Sequence, residues 1–211
     1  DEALSIPEIA RRVNATKEMR LKSKDSGANK LAEKPYQFRD FRESTSRSLI
    51  IPSVTSEGRD YIPMGYLDEN TIVTNRAHIV LDADLYVFAI LTSKMHMAWV
   101  NAVAGRLETR INYSSTICYN DFPVRTLLDH EKSELASKAR NVLFARENHT
   151  EKTLAEMYDP DKMPEDLREA HQELDLAVDR LYRSKPYNSD EERLADLFAL
   201  YEKMIEREKS K

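Results

Sequence analysis

The alternation of apolar and polar residues divides the chain into a mixed part and a helical part. Residues 6–22 carry apolar side chains at near-helical spacing, with Ile6, Ile9 and Val13 on one side, which predicts an amphipathic helix. After a polar loop the pattern changes to short runs rich in β-branched or aromatic residues and separated by Gly, Pro, Asn or Asp, which is typical of strands. These runs are residues 48–54, 61–66, 71–74, 78–81 and 86–91.

A helix and a final strand complete the mixed part. The Met-rich run 94–103 predicts a short helix that ends near Gly105, and residues 106–113 predict a strand. Pro123 then ends the regular structure, and helical periodicity returns in residues 131–146, 165–182 and 190–208. We therefore expect an α+β protein, with a mixed α/β domain over residues 1–125 and a small antiparallel three-helix bundle over residues 126–211.

Charge is unevenly distributed between these two parts. The 211 residues have a net charge of -5, but residues 1–125 carry a net +1 and residues 126–211 a net -6. A nucleic-acid partner would therefore face the first part, because phosphates repel an acidic surface. The polar face of the first predicted helix is basic, and the sequence leaves open whether that face is simply solvated or contacts phosphates.

Composition excludes several classes of protein. With 41% hydrophobic residues we expect a soluble globular chain. No run approaches the roughly 18 apolar residues of a membrane helix, and the first residues lack the features of a signal peptide, so we expect a cytoplasmic protein without a membrane partner. The lone cysteine, Cys118, excludes an internal disulfide and is expected to be a small buried side chain.

Catalytic and metal sites are not indicated. The five histidines lack the paired spacing of a metal site, and His96 lies in an apolar helical run where a buried, hydrogen-bonded histidine is expected. Pairs such as Glu191 and Glu192 are typical of solvated helix faces, and no signature of a nucleophilic hydrolase occurs. We expect no catalytic residue and no metal.

Several long strings resemble one known family. SKMHMAWV (residues 93–100), AGRL (104–107), NYS (112–114) and YNDFP (119–123) resemble the target-recognition domain of MmeI-like adenine-N6 DNA methyltransferases of the type IIL/IIG restriction-modification class. LAEMYDP (154–160) and AHQELD (170–175) are similar to the C-terminal helical region of that family. No single motif carries the resemblance, which extends over nearly the whole chain.

The resemblance implies a recognition module within a larger enzyme. Members methylate adenine N6 with S-adenosylmethionine, and some add a nuclease that needs Mg²⁺, so the implied partners are double-stranded DNA and an upstream methyltransferase domain of the same polypeptide. Only four glycines occur, none of them clustered, and the Asn/Asp-Pro-Pro-aromatic motif that holds the target base is absent. We therefore expect this chain to bind no cofactor itself, and it does not reveal whether its parent has a nuclease.

The strand that follows Gly105 offers a reading head for DNA. Period-two alternation predicts that Glu108, Arg110 and Asn112 share one face, with Leu107, Thr109 and Ile111 on the other. Arg pairs bidentately with guanine, Glu accepts from cytosine N4, and Asn serves adenine. The resemblance implies base contacts at these three positions and at Arg76. Without the resemblance, a surface strand with an exposed ion pair is the simpler interpretation.

Other polar residues are candidates for phosphate contacts that orient the module without specifying sequence. They are Arg47, Arg59, Lys94, Asn101 and Arg106. Trp99 is expected to anchor the core rather than stack on bases. The alternative function that composition permits is a structural or protein-interaction module, whose acidic helices bind a protein and which does not read DNA.

Overall fold

The computed structural model describes residues 2–39 and 45–210. The chain divides into two compact units, Asp1–Glu43 and Ser44–Lys211. In the described residues, each helix is too short or too polar to cross a lipid bilayer.

The first unit is built around a helix that confirms the prediction for residues 6–22. After a 3₁₀ turn, Glu2–Ser5, helix α1 spans Pro7–Leu21, with proline at its first position, where no amide hydrogen is needed. A short helix α2, Ser26–Lys30, and a 3₁₀ turn, Leu31–Glu33, follow. The Arg20 guanidinium donates to three carbonyls downstream, those of Leu31, Lys34 and Gln37, and thereby holds this segment against the end of α1.

The second unit begins with two small antiparallel sheets. Strands β1 (Ser48–Pro52), β3 (Gly65–Leu67) and β4 (Ala77–Val80) form one sheet in the order β3-β1-β4. Strands β2 (Val54–Thr55), β5 (Gly105–Leu107) and β6 (Arg110–Asn112) form the other in the order β2-β6-β5. Ser53 joins them, because its amide donates to the Arg76 carbonyl and its carbonyl accepts from the Tyr113 amide.

Among the strands predicted before the 94–103 helix, three are wrong in whole or in large part. Residues 86–91 form helix α3, Leu85–Leu91, instead of a strand. The run LYVFAIL is apolar all round, so its periodicity cannot separate a buried strand from a buried helix, and packing against a later helix decides the outcome. Residues 71–74 form no strand, and of residues 61–66 only Gly65 and Tyr66 belong to one.

The remaining elements are helical apart from the β5–β6 hairpin. Helix α4, Lys94–Val103, precedes β5, and a π-helical turn, Ser115–Asn120, follows β6. The three predicted C-terminal helices are confirmed as α5 (Asp129–Glu147), α7 (Glu165–Asp179) and α8 (Asp190–Lys209), with a short α6 (Leu154–Met157) between the first two. The α+β fold class is therefore confirmed.

One hydrophobic core extends through both sequence-defined parts of the second unit. Helix α5 packs on α7 and on α3, whereas α8 packs on α4. Leu49, Phe88 and Trp99 from the mixed part are buried in the same cluster as Leu135, Leu174 and Leu197 from the C-terminal helices. Helices α5 and α7 thus pack on each other and on α3, whereas α8 buries its apolar face against α4.

Candidate functional site

Strands β5 and β6 form a hairpin with an exposed two-residue tip. Leu107 pairs with Arg110, which leaves Glu108 and Thr109 in the turn, so the prediction of one continuous strand over residues 106–113 is wrong at these two residues. Glu108 adopts a positive φ of 59°. Hairpin turns need this left-handed conformation, but Gly, Asn and Asp adopt it at lower cost than glutamate. A glutamate held there points to a use for its side chain.

The Glu108 carboxylate forms an ion pair with Arg110. Arg110 Nη2 lies 2.7 Å from Glu108 Oε2, and the side chains are 49% and 77% exposed. An exposed pair contributes only about 0–1 kcal/mol to stability. The sequence analysis predicted that Glu108 and Arg110 share one face of a single strand. Glu108 lies in the turn instead, but its side chain still contacts that of Arg110.

Strand β6 has the alternation that the sequence predicted. Arg110 and Asn112 are exposed, whereas Ile111 between them is fully buried. The opposite, apolar face is shorter than expected, because Leu107 is 48% exposed and Thr109 lies in the exposed turn. One buried isoleucine therefore anchors the strand while its polar neighbours face solvent.

Arg76 lies close to this strand along the backbone. It is an exposed turn residue directly before β4, and its carbonyl accepts from the Ser53 amide. Val54, which follows Ser53 in the sequence, pairs with Asn112. Arg76 and Asn112 therefore flank the same two-residue segment, and the structure brings all four predicted base-reading residues to one region.

Glu57 joins the hairpin tip, and the sequence analysis missed it as a site residue. The pKa of Glu57 lies below its ordinary value, chiefly because Thr109 hydrogen-bonds its carboxylate, and the charges of Arg106 and Arg110 act in the same direction. Two carboxylates and two guanidinium groups thus surround the tip.

Two of the candidate phosphate contacts lie where α4 leads into the hairpin. Arg106 and Asn101 are both exposed, and Arg106 Nη2 donates to the Asn101 carbonyl at 3.1 Å. Arg106 lies on β5, which pairs directly with the strand that carries Arg110.

The other three candidates make contacts within the protein. The Arg47 guanidinium stacks 4.4 Å from the centre of the Tyr66 ring. Arg59 donates to Thr55 Oγ1 and to the Ala155 carbonyl. The Lys94 ammonium lies 5.9 Å from the centre of a tyrosine ring, that of Tyr61, and its side chain is half-buried. Their phosphate contacts stay predictions.

Helix α4 contacts the segment that directly follows the hairpin. His96 Nε2 lies 3.0 Å from the Tyr113 hydroxyl at the end of β6, and Trp99 Nε1 donates to the Ile117 carbonyl. Complete burial lowers the pKa of His96 to about 3, so this ring is neutral at physiological pH. The prediction of a buried histidine is confirmed, but only Nε2 is hydrogen-bonded, because Nδ1 is buried without a partner among the described residues.

A second buried polar group escaped the sequence analysis. The Asp175 carboxylate of α7 is 5% exposed, and it accepts hydrogen bonds from the Tyr61 hydroxyl and the Lys94 amide. Burial, more than any other factor, raises its pKa to about 7. Helical spacing places Asp175 and His171 on the same face as Leu167 and Leu174, which is the signal that would have found them.

Among the described residues, no three His, Cys, Asp or Glu side chains are grouped to hold a metal ion. Cys118 is buried, and burial raises its pKa above the ordinary value, so this thiol has little thiolate character.

Comparisons with known families account for almost the entire chain. Residues 1–126 match the family described as "MmeI, target recognition domain", and residues 127–207 match the family described as "MmeI, C-terminal domain". The chain belongs to the MmeI family. The resemblance inferred from the sequence strings is therefore confirmed.

Two relatives within the MmeI family are similar over 96% of this chain. DNA methyltransferase A of Bacillus subtilis (strain 168) is 47% identical over 203 residues. The solved type IIL restriction-modification enzyme MmeI, in complex with DNA, is 36% identical and superposes with a TM-score of 0.90. The chain spans 23% and 27% of the lengths of these two proteins, so it corresponds to about a quarter of each.

Proposed function

We propose that this chain is the sequence-specific double-stranded DNA recognition part of a larger S-adenosylmethionine-dependent adenine-N6 DNA methyltransferase. The observation that carries the proposal is the exposed β5–β6 hairpin with its Glu108–Arg110 pair, in a chain of the MmeI family. Its solved relative is described in complex with DNA, and its curated relative is named a DNA methyltransferase.

The hairpin has the shape and chemistry that base readout needs. A two-stranded β-ribbon fits into the major groove of B-form DNA, where each base pair presents a distinct pattern of donors and acceptors. Arg110 would donate to guanine O6 and N7, and Glu108 would accept from the N4 amino group of the paired cytosine. Asn112 and Arg76 would extend the contacts to adjacent base pairs. The free protein already holds Glu108 and Arg110 together, which reduces the ordering cost of binding.

Phosphate contacts would orient the hairpin in the groove. Arg106 and Asn101 are the strongest candidates, because both are exposed at the base of the hairpin. Arg59 and Lys94 are weaker candidates because both are half-buried, and Arg47 is weaker because its guanidinium stacks on the Tyr66 ring.

We assign the target-recognition role to residues 1–125 and a helical domain to residues 126–211. The two family matches meet between residues 126 and 127, which supports this division. The cofactor site and the pocket for the target adenine would lie in an upstream methyltransferase domain of the same cytoplasmic polypeptide, because the motifs for both are absent from this sequence. A nuclease with Mg²⁺ would likewise belong to that parent.

A salt series tests whether DNA is the partner. Binding of the parent polypeptide to random-sequence duplex should weaken linearly on a plot of log affinity against log salt, because each neutralised phosphate releases counterions. Arg106→Ala should reduce that slope by about 1 and weaken binding equally for all sequences.

The matched control is Arg180→Ala, which removes an exposed arginine that pairs with Glu134 in the acidic helical region. This variant should keep the full slope. Binding that does not respond to salt, together with capture of a protein by the acidic helices, would favour the interaction-module alternative and overturn the proposal.

A further inference from the structure

The C-terminal helices contact the helix that carries the hairpin. Helix α4 ends at Val103 and β5 begins at Gly105, so a single residue, Ala104, separates the helix from the hairpin. A tilt of α4 would therefore displace the hairpin tip. Recognition of base edges requires side chains to be held within about 0.5 Å of their productive positions.

We propose that the C-terminal helical region braces the recognition hairpin, and that Asp175 on α7 is its positioning residue at the start of α4. The proposal rests on the function proposed above and assigns a role to residues that do not reach the hairpin themselves.

Asp175 caps the first turn of α4 from a distant part of the sequence. Its Oδ1 accepts from the backbone amide of Lys94 at 2.8 Å, and this amide has no partner within the helix because it belongs to the first turn. Ser93, the local N-cap, accepts from the His96 amide. Two amide donors of the first turn are therefore satisfied. Ser93, in the mixed part, accepts from one of them, and Asp175, on α7, accepts from the other.

The second oxygen of Asp175 fixes the direction of this contact. Oδ2 accepts from the Tyr61 hydroxyl at 2.7 Å, and the Tyr61 ring stacks on His171, one turn earlier on α7, with ring centres 4.1 Å apart. Tyr61 therefore contacts α7 at two residues, Asp175 and His171. The carboxylate cannot rotate without losing one of its two hydrogen bonds.

Helix α8 holds the middle of α4. The Trp99 ring of α4 lies 5.4 Å from the Phe198 ring and 5.6 Å from the Tyr201 ring, measured between ring centres. Helix α4 is therefore fixed at its N-terminus by α7 and along its length by α8. Two separated points of contact define the tilt of a helix, which one point cannot do.

Stability alone does not account for a buried carboxylate at this place. Removing a carboxylate from water is costly, and an apolar side chain of similar volume often stabilises a core more. What the carboxylate adds is a directional hydrogen bond to the first turn of α4, reinforced by the positive end of the helix dipole. This combination points to a role in positioning.

Replacement of Asp175 by asparagine in the parent polypeptide tests the role. The isosteric amide keeps one acceptor and loses the other. Discrimination between the duplex that the parent methylates and duplexes with one changed base pair should fall about tenfold, as expected from loss of one buried hydrogen bond. Binding to random duplex should stay within about twofold of wild type, because phosphate contacts are unchanged.

Asp179→Asn is the matched control. Asp179 is also buried on α7, one turn further along, but its carboxylate pairs with Arg193 of α8. Because Asp179 also raises the pKa of Asp175, the comparison is made at a pH well above 7, where Asp175 is ionised in both proteins. Under that condition Asp179→Asn should lower the midpoint of thermal unfolding while discrimination stays at the wild-type value. A merely structural role for Asp175 would give both variants the same outcome, loss of stability without loss of discrimination.

Two outcomes overturn the brace, and a third overturns the underlying function. The proposed brace is contradicted if Asp175→Asn discriminates among duplexes as well as wild type does. It is also contradicted if Asp179→Asn loses as much discrimination as Asp175→Asn. If the wild-type parent shows no preference among duplexes at all, the proposed function itself fails. If Arg110→Ala relaxes the preference but Asp175→Asn does not, the function stands and the brace alone fails.

The titration of Asp175 gives an independent check on its environment. Its pKa of about 7 in the folded protein exceeds the 3.8 of an ordinary aspartate, so the folded state keeps a proton that the unfolded chain releases. The unfolding free energy of wild type, relative to Asp175→Asn, should therefore fall as pH rises from about 4 to 7 and then level off. Urea denaturation across this range measures the difference. A flat difference would show that the carboxylate is solvated.

Neighbouring groups also shift the pKa of Asp175. Asp179 on α7 raises the pKa of Asp175, whereas the Lys94 amide, the Tyr61 hydroxyl and the Lys94 ammonium lower it. Arg193 on α8 also interacts electrostatically with Asp175. Comparison with Asp175→Asn cancels the contributions of other titrating groups, including the buried His96.

Discussion

Replacement of Arg110 by alanine in the parent polypeptide is expected to cost about 1–3 kcal/mol of binding to its own target and to relax the choice at one base pair. The physical reason is that Arg110 supplies a bidentate donor that only guanine can match in the major groove. Its removal leaves Glu108 without its partner, so the loss of specificity should centre on one C·G pair. Competition with duplexes changed at each position measures both effects.

Arg106→Ala is the control for this prediction. Arg106 lies on the neighbouring strand of the same hairpin and is equally exposed to solvent, but we assign it to phosphate. Its variant should weaken all duplexes by the same factor and leave the preferred sequence unchanged. If Arg110→Ala behaved like Arg106→Ala, Arg110 would be a phosphate contact and not a base contact.

Trp99→Ala should have the largest effect on stability. Because Trp99 is also the contact through which α8 holds α4, the variant should weaken discrimination among duplexes, but the preferred bases should stay the same. The Trp99 side chain is 2% exposed, packs against Phe122, Phe198 and Tyr201, and donates to the Ile117 carbonyl. Loss of such a side chain leaves a cavity and an unpaired carbonyl, for which we expect a cost of about 3–5 kcal/mol in unfolding free energy. Chemical denaturation of the parent, followed by circular dichroism, measures this cost.

Phe198→Ala provides the comparison. Phe198 contacts the same Trp99 ring but is 41% exposed, so its removal should cost clearly less. A Trp99→Ala variant with wild-type stability and altered DNA binding would mean that Trp99 stacks on bases, which would contradict its assignment to the core.

The longer helices α1, α4, α5, α7 and α8 could be predicted because they combine a clear period with clear ends. Pro7 starts α1, and Asp190 to Lys209 carry apolar residues at helical spacing over a long run. The prediction for residues 86–91 failed because they belong to a run of seven consecutive apolar or aromatic residues, Leu85–Leu91, which fits a buried strand and a buried helix equally well. Only the packing of α3 on α5, a contact distant in sequence, distinguishes the two.

The hairpin shows how local alternation can mislead. Arg110, Ile111 and Asn112 follow period two, but the extension of that period back to Leu107 does not hold. The turn lacks the Asn-Gly or Asp-Gly signal that usually marks a two-residue hairpin, because Glu108 occupies the left-handed position. The predicted proximity of Glu108 and Arg110 nevertheless holds, since the turn returns Glu108 to Arg110.

Asp175 illustrates what sequence alone does not reveal. Its partners, Tyr61 and Lys94, lie 114 and 81 residues away in sequence, and each is an ordinary residue in its local pattern. Only the tertiary fold brings an acidic side chain of α7 to the first turn of α4. The link between the C-terminal helices and the hairpin therefore could not be predicted from spacing.

Sequencing of methylated sites in DNA from cells that express the parent polypeptide tests the central claim most directly. Wild type should define one motif, and single alanine variants of Arg76, Glu108, Arg110 and Asn112 should each relax that motif at one position or abolish methylation. The Arg106→Ala variant should keep the motif and lower only the extent of methylation. An unchanged motif in all four variants would contradict the assignment of the β5–β6 hairpin as the part of the molecule that reads DNA.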